Sequence, residues 1–336
     1  MTSSERTIAT VSAPASVANF GVGFDVHSMA LEQPRIRLQL DSAPRNVRKI
    51  RVHGPYATDT TTDPNLNASG QALDTFYREF GKPHGYTLTI QVNTPPRAGL
   101  GLSGAEAVGA VLCAAVGLGI DISREEVARI AATVEPMQHM DNVAACALGG
   151  FNIVARNPVN GKTRITNIHP PADLGVAIIV PNIIKHSTKA TRIVLPDAVS
   201  REQYVESIGY ASTVTAALAN NDLDTVLETI PWDRFVEPAR AAAGAYGNGV
   251  SPELLQSMKR ELFDKFHVAD TVSGAGPSHA LWYNVSEEEN TRKKNSVGLI
   301  KPAIELVSAR LNALGYFVRE VFITKPSPQG ATVHYS

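Results

Sequence analysis

With 336 residues, 43% of them hydrophobic and 19% charged, the chain is long enough for two domains, or one large one, around a substantial core. A net charge of −1 gives no general attraction to nucleic acid or to an anionic membrane, so neither is expected as a partner. The two cysteines, Cys113 and Cys146, stand in Ala-rich apolar runs and read as reduced core thiols, and no Cys/His cluster has zinc-ligand spacing.

In chain order, residues 7–11, 36–40 and 50–53 read as strands, and 86–92 (YTLTIQV) alternates with the period of two expected of a strand. A helix is expected over 67–80, closed near Gly81 and Pro83. The glycine-rich stretch 95–111, PPRAGLGLSGAEAVGAV, leads into a helix from about Ser103, where Ser103 and Glu106 have capping-box spacing. Ser123 and Glu126 repeat that spacing before an amphipathic helix ended by Pro136. A short helical piece over 144–148 is stopped by Gly149 and Gly150, and strands are expected over 151–155 and 175–180.

Beyond Pro170 and Pro171, the best candidate boundary, helices are expected over 200–220, 223–229 and from Pro252, with Ser251 as cap. Residues 268–272 lead into a second glycine turn, SGAGPS. Strands follow at 280–285 and 317–323, with a helix over 297–314. The charge run SEEENTRKKN reads as a solvated connection. The longest apolar run, 107–118, is below the roughly 18 residues a membrane span needs, and MTSSERTIATVSAP is no signal peptide. A cytoplasmic protein is expected. Strands and helices mixed without strict alternation point to an α+β fold.

Six stretches concentrate chemistry. The loop 95–105 ahead of a helix N-terminus is an anion site or a purely structural turn, and it is not a Walker A loop. Asn19 and Asp25 flank Gly21 and Gly23 in apolar sequence, marking a site or an Asx-type turn. Glu135, His139, Asp141 and Asn142 cluster between two helices, as oxygen ligands for magnesium or as a helix cap. KHSTKATR (185–192) and Arg240 in DRFVEPAR suit a carboxylate or phosphate, and SGAGPS is another turn.

In this order the stretches resemble the GHMP kinase superfamily, and within it the homoserine kinases. The family opens with P-A-S-x-A-N-x-G-x-G-F-D, read here from Pro14 to Asp25. Its P-x-x-x-G-L-G-S-S-[AG]-A loop matches residues 95–105 with one exception, and its E…H-x-D-N-V-A…G-G segment matches Glu135, His139, Asp141, Asn142, Val143, Ala144, Gly149 and Gly150. S-T-K-x-x-R matches 187–192, followed by Leu195 and Pro196, and S-G-A-G-P matches 273–277.

The resemblance implies a two-domain GHMP kinase fold: an N-terminal ATP-binding domain similar to ribosomal S5 domain 2 over 1–170, and a ferredoxin-like domain over 171–336. It implies ATP- and Mg²⁺-dependent phosphorylation of a small amino acid, L-homoserine, in threonine biosynthesis. Other acceptors, such as threonine or mevalonate, and a non-catalytic homologue are the alternatives. Gly99, Leu100, Gly101, Ser103, Gly104 and Ala105 would wrap the ATP phosphates, Asn65 would lie near the base, and Ser103 and Glu135 would hold Mg²⁺. Asn19, Asp25, His139, Thr188 and Arg240 would line the substrate pocket. Asp141, Asn142 and Arg192 are the catalytic candidates, Asp141 matching an aspartate that related kinases use as a base. A homodimer is a further expectation, as family members are often dimers.

The chain departs from the pattern in places. Leu102 replaces the first serine of the S-S pair, Glu106 replaces a small or hydroxyl residue, and Val17 and Val22 replace serine and proline. AAAGAYGNG follows Arg240, where the family tends toward a Leu-Ile-Pro-Gly turn. A Glu106 folded back on Ser103 would also compete with ATP for the helix end, so Glu106→Ser is expected to tighten ATP binding.

Overall fold

The computed structural model describes residues 7–81, 85–183, 190–295 and 297–334. The first half comprises β1 (Thr7–Ala18), β2 (His27–Ala43), β3 (Arg48–His53), α1 (Ala68–Glu79), β4 (Gly85–Gln91), α2 (Leu102–Gly117), α3 (Arg124–Ala131), α4 (Asp141–Leu148), β5 (Phe151–Arg156) and β6 (Thr163–Ile168). The second half comprises β7 (Leu174–Pro181), α5 (Ala190–Ile193), α6 (Arg201–Ala219), α7 (Leu223–Thr229), α8 (Val236–Ala242), α9 (Pro252–Phe266), β8 (Ala269–Val272), β9 (His279–Asn284), α10 (Val285–Asn295), α11 (Ile300–Ala313), β10 (Val318–Thr324) and β11 (Thr332–His334).

One seven-stranded sheet runs β11-β1-β2-β4-β3, with β5 joined to β2 and β6 to β5. The 17-residue β2 forks: Arg37 to Ala43 pair with β4, and His27 to Met29 pair with β5. Parallel pairing of β3 with β4 requires a crossover, which α1 supplies. The C-terminal β11 returns to pair antiparallel with β1. The second sheet is antiparallel, ordered β10-β7-β9-β8, and every residue of its inner strand β7 is buried.

Helix α2 is apolar on nearly all sides because it is enclosed by β1, β2, α1, α3 and α4. Gly109 permits this approach: a Cβ there would lie 2.3 Å from Leu38 Cδ1. A second core cluster joins the two halves. Phe20 meets Phe151 edge-on at 5.3 Å and Trp282 at 4.6 Å, among Val17, Leu31, Val176 and Leu218. Cys113 and Cys146 are free and buried, as expected.

The charge run 286–295 is largely solvated, as expected, but it forms most of helix α10 rather than a plain connection. Glu287 and Glu288 occupy its first turn and Arg292, Lys293 and Lys294 its last, which complements the helix dipole. Glu288 is buried and accepts from the Leu299 and Ile300 N–H groups, supplying the N-terminal cap that α11 lacks.

Candidate active site

The turn between β1 and β2 is built from unusual backbone. Asn19, Phe20 and Asp25 all have positive φ (69°, 43° and 59°), and a Cβ on Gly21 would lie 1.9 Å from Ile230 O. Asn19 closes the turn by accepting from the Asp25 N–H at 3.2 Å, and its Nδ2 donates to Gly274 O at 2.9 Å. Asn19 therefore ties this turn to the SGAGPS loop.

The glycine loop differs from its expected cap. Helix α2 begins at Leu102, and its N-cap is Gly101, at φ 65°. No side chain caps it, so the Ser103–Glu106 capping box does not form. The left-handed conformation at Gly101 turns the chain directly into the helix, making Ser103 its second residue. The first intrahelical bond runs from the Ala105 N–H to Gly101 O, leaving the N–H groups of Leu102, Ser103 and Gly104 without helical partners. Ser103 Oγ instead donates to Glu135 Oε1 at 2.6 Å, while Glu106 turns inward and is buried. At the other expected box, Ser123 does cap α3 by accepting from the Glu126 N–H, but the Glu126 carboxylate pairs with Arg129.

Two glycines hold the loop in place. A Cβ on Gly101 would lie 2.1 Å from Ser16 Oγ and 2.8 Å from Asn142 Oδ1, and one on Gly99 would lie 2.1 Å from Ser273 O. Ser273 Oγ donates to Gly99 O at 2.8 Å, so the two glycine turns lock together.

Residues 135–142 bring the acids to the same place. Asp141 is the first residue of α4, Met140 being the N-cap, and its Oδ1 accepts from the Asn142 N–H at 2.8 Å. Burial, reinforced by the charges of Asp25 and Glu135, pushes Asp141 up to about 7. Asn142 Oδ1 accepts from the buried Ser16 Oγ at 2.8 Å. His139 Nδ1 lies 3.4 Å from Asp25 Oδ2, and burial lowers its pKa despite that carboxylate.

The second half contributes two arginines. Arg192 on α5 donates to both oxygens of Asp25, at 2.9 and 2.6 Å. Arg240 on α8 is 1% exposed and donates to Thr191 O at 3.2 Å and Gly274 O at 3.1 Å. Both guanidinium groups flank the Phe24 ring, at 5.3 and 5.4 Å from its centroid. Helix α8 is fixed by Glu237, which accepts from the Val272 N–H and pairs with buried Lys259. Thr188, with 185–187 and 189, lies outside the described residues.

Two cavities result. A cleft of about 580 Å³ runs over Gly99, Gly101 and Ser103 to Asn67 and Ala68 at the start of α1. A small pocket of about 40 Å³ is lined by Asn19, Asp25, His139, Asp141, Arg192 and Arg240 among others. Glu135, Asn142, Gly274 and Ala275 line both, so the spaces adjoin. Arg192 Nε and His139 Nε2 are buried without hydrogen-bond partners. Gly104 and Ala105 do not line the cleft, Ala105 being fully buried, and exposed Asn65 is engaged with Arg48 and Asp63. Asn67 lines it instead. Two site residues, Ser16 and Phe24, escape a reading of the sequence. Both stand inside the opening motif, which is the signal that could have found them.

Ser103 Oγ and the Glu135 carboxylate, in contact beside a helix N-terminus, form an oxygen donor pair that fits a hard divalent cation.

The family model for the GHMP kinases N terminal domain matches residues 67–150. The chain is similar to the homoserine kinase of Haloarcula marismortui, at 33% identity over 294 residues covering 79% of this chain and 92% of that one. It is also similar to that of Pyrococcus abyssi, at 31% over 258 residues covering 71% and 83%. Its fold is that of the crystal structure of homoserine kinase from Cytophaga hutchinsonii, with a TM-score of 0.77 at 23% identity and 99% coverage of both chains.

Proposed function

The chain belongs to the homoserine kinases of the GHMP kinase family, and on that premise we propose that it transfers the γ-phosphoryl group of ATP to the side-chain hydroxyl of L-homoserine, giving O-phospho-L-homoserine and ADP. The observation that carries this reading is the junction of the two cavities at Glu135 and Asn142. An anion-binding cleft meets a pocket of paired charges where a phosphoryl group would cross.

The open N–H groups at the start of α2 take the ATP phosphates, and the interlocked loops at Gly99 and Ser273 keep those donors preorganised. Ser103 and Glu135 would hold Mg²⁺, which would supply neutralisation of charge on the transferring group. Asp25 takes the substrate α-ammonium and Arg192 its α-carboxylate, each exchanging its present partner for the matching end of a zwitterion. Arg240 and Phe24 brace Arg192, and His139 and Asn19 complete the wall. Asp141, poised near neutral pH, takes up the hydroxyl proton, and Ser16 orients Asn142 beside it. We assign residues 1–170 to the nucleotide domain and 171–336 to the ferredoxin-like domain, with β11 reaching back across the boundary.

The test is ADP release from ATP and Mg²⁺ with homoserine, threonine, serine and mevalonate in parallel. Turnover with homoserine alone is expected. Turnover only with another acceptor would reassign the substrate, and none with any would sink the kinase reading.

A further inference from the structure

The cleft holds one buried acid that the proposed reaction does not use. Glu106 lies three residues after Ser103, on the same face of α2, and is 5% exposed. It lines the cleft together with Ser103 and Glu135. Ser69 Oγ donates to its backbone carbonyl at 3.0 Å, which ties this turn of α2 to the start of α1. Its Oε1 is buried with no hydrogen-bond partner.

An acid oxygen taken from water without a partner is costly, so burial disfavours the charged form of Glu106, and the charge of Glu135 adds to this to a lesser degree. A hydroxyl donor from a ligand would satisfy the oxygen but leave the repulsion. A divalent cation removes both, and two carboxylates with a serine hydroxyl are a suitable hard-oxygen donor set.

We propose that Glu106 belongs to the divalent-cation site of this chain, its Oε1 holding the cation directly or through one coordinated water, alongside Ser103 and Glu135. This rests on the nucleotide reading of the cleft. It also changes the sense of the departure at this position. Glu106 opposes ATP when no metal is present and supports it when metal is bound, so tightening on Glu106→Ser is confined to metal-free binding.

The experiment titrates a non-hydrolysable ATP analogue calorimetrically into wild-type protein, Glu106→Gln and Glu106→Asp, once in EDTA and once in saturating Mg²⁺. Circular dichroism checks folding. The ratio of Kd in EDTA to Kd in Mg²⁺ is expected to fall about tenfold in Glu106→Gln, and by less in Glu106→Asp, which keeps the charge. Equal ratios in wild type and both variants would overturn the proposal, including the case where both affinities weaken alike because Glu106 touches the nucleotide itself. A wild-type protein that binds the analogue in neither condition would overturn the nucleotide reading as well, so the two failures are distinguishable.

Discussion

Arg192 holds Asp25 through two hydrogen bonds, Nη1 to Oδ2 at 2.9 Å and Nη2 to Oδ1 at 2.6 Å, joining residues 167 apart in sequence. In the proposed reaction this pair would exchange partners with an amino-acid zwitterion. Lysine keeps the charge but loses the planar fork and the stacking on Phe24. Arg192→Lys should raise KM for homoserine roughly tenfold to thirtyfold, corresponding to about 1.4–2 kcal/mol, and leave KM for ATP within about twofold. Steady-state kinetics with each substrate varied checks this.

Glu135 is only partly exposed, and Ser103 Oγ donates to it at 2.6 Å. Glu135→Gln keeps shape and hydrogen-bonding capacity but removes the charge. Turnover should fall by at least about 10²-fold. Chemical unfolding should shift by no more than about 0.5 kcal/mol. An active variant would refute Glu135 as a required metal ligand.

Asp141 gives a pH signature with a definite sign. Burial first, then the charges of Asp25 and Glu135, raise its pKa from the ordinary 3.8 of an aspartate to about 7. If the ionised form accepts the substrate proton, kcat should rise with pH through about 7, and Asp141→Asn should lose that inflection and about 10² or more in rate. Stability runs the other way. Between 3.8 and about 7 the folded state holds a proton the unfolded state has released, so this group's contribution is undiminished below 3.8 and declines as pH rises toward 7. Asp141→Asn should therefore raise the melting temperature at pH 8 and have no such effect at pH 4, as read by thermal denaturation at both.

Gly101 is both the cap of α2 and the floor beneath two site side chains. At φ 65°, with a Cβ that would lie 2.1 Å from Ser16 Oγ, an alanine there is strained and displaces the Ser16–Asn142 bond. Gly101→Ala should destabilise the fold by about 1 kcal/mol or more and weaken nucleotide binding. Urea unfolding and analogue titration would show both.

Much of the lining of this pocket is legible in the amino-acid sequence. Asn19, Asp25, His139, Asp141, Arg192 and Arg240 stand in motifs whose order identifies the family, and they line one pocket. The strands at 86–92 and 175–180 and the helices at 200–220 and from Pro252 are visible because their periodicity or caps are local. What escapes depends on the tertiary context. Whether Glu106 reaches back to Ser103 or turns inward is decided by a left-handed Gly101 and by the space beside α1. The role of Glu288 as the cap of α11 needs the fold that brings residue 300 to it. Asn65 and Asn67 are equivalent polar residues in sequence, and only packing makes one exposed and the other a cleft wall.

The central claim is that these two adjoining cavities pass a phosphoryl group from ATP to homoserine. Phosphorus NMR of a mixture of protein, ATP, Mg²⁺ and L-homoserine tests it most directly. The account predicts a new phosphomonoester resonance on homoserine, growing in step with ADP. ADP accompanied only by inorganic phosphate, or no change in the ATP signals, would contradict it.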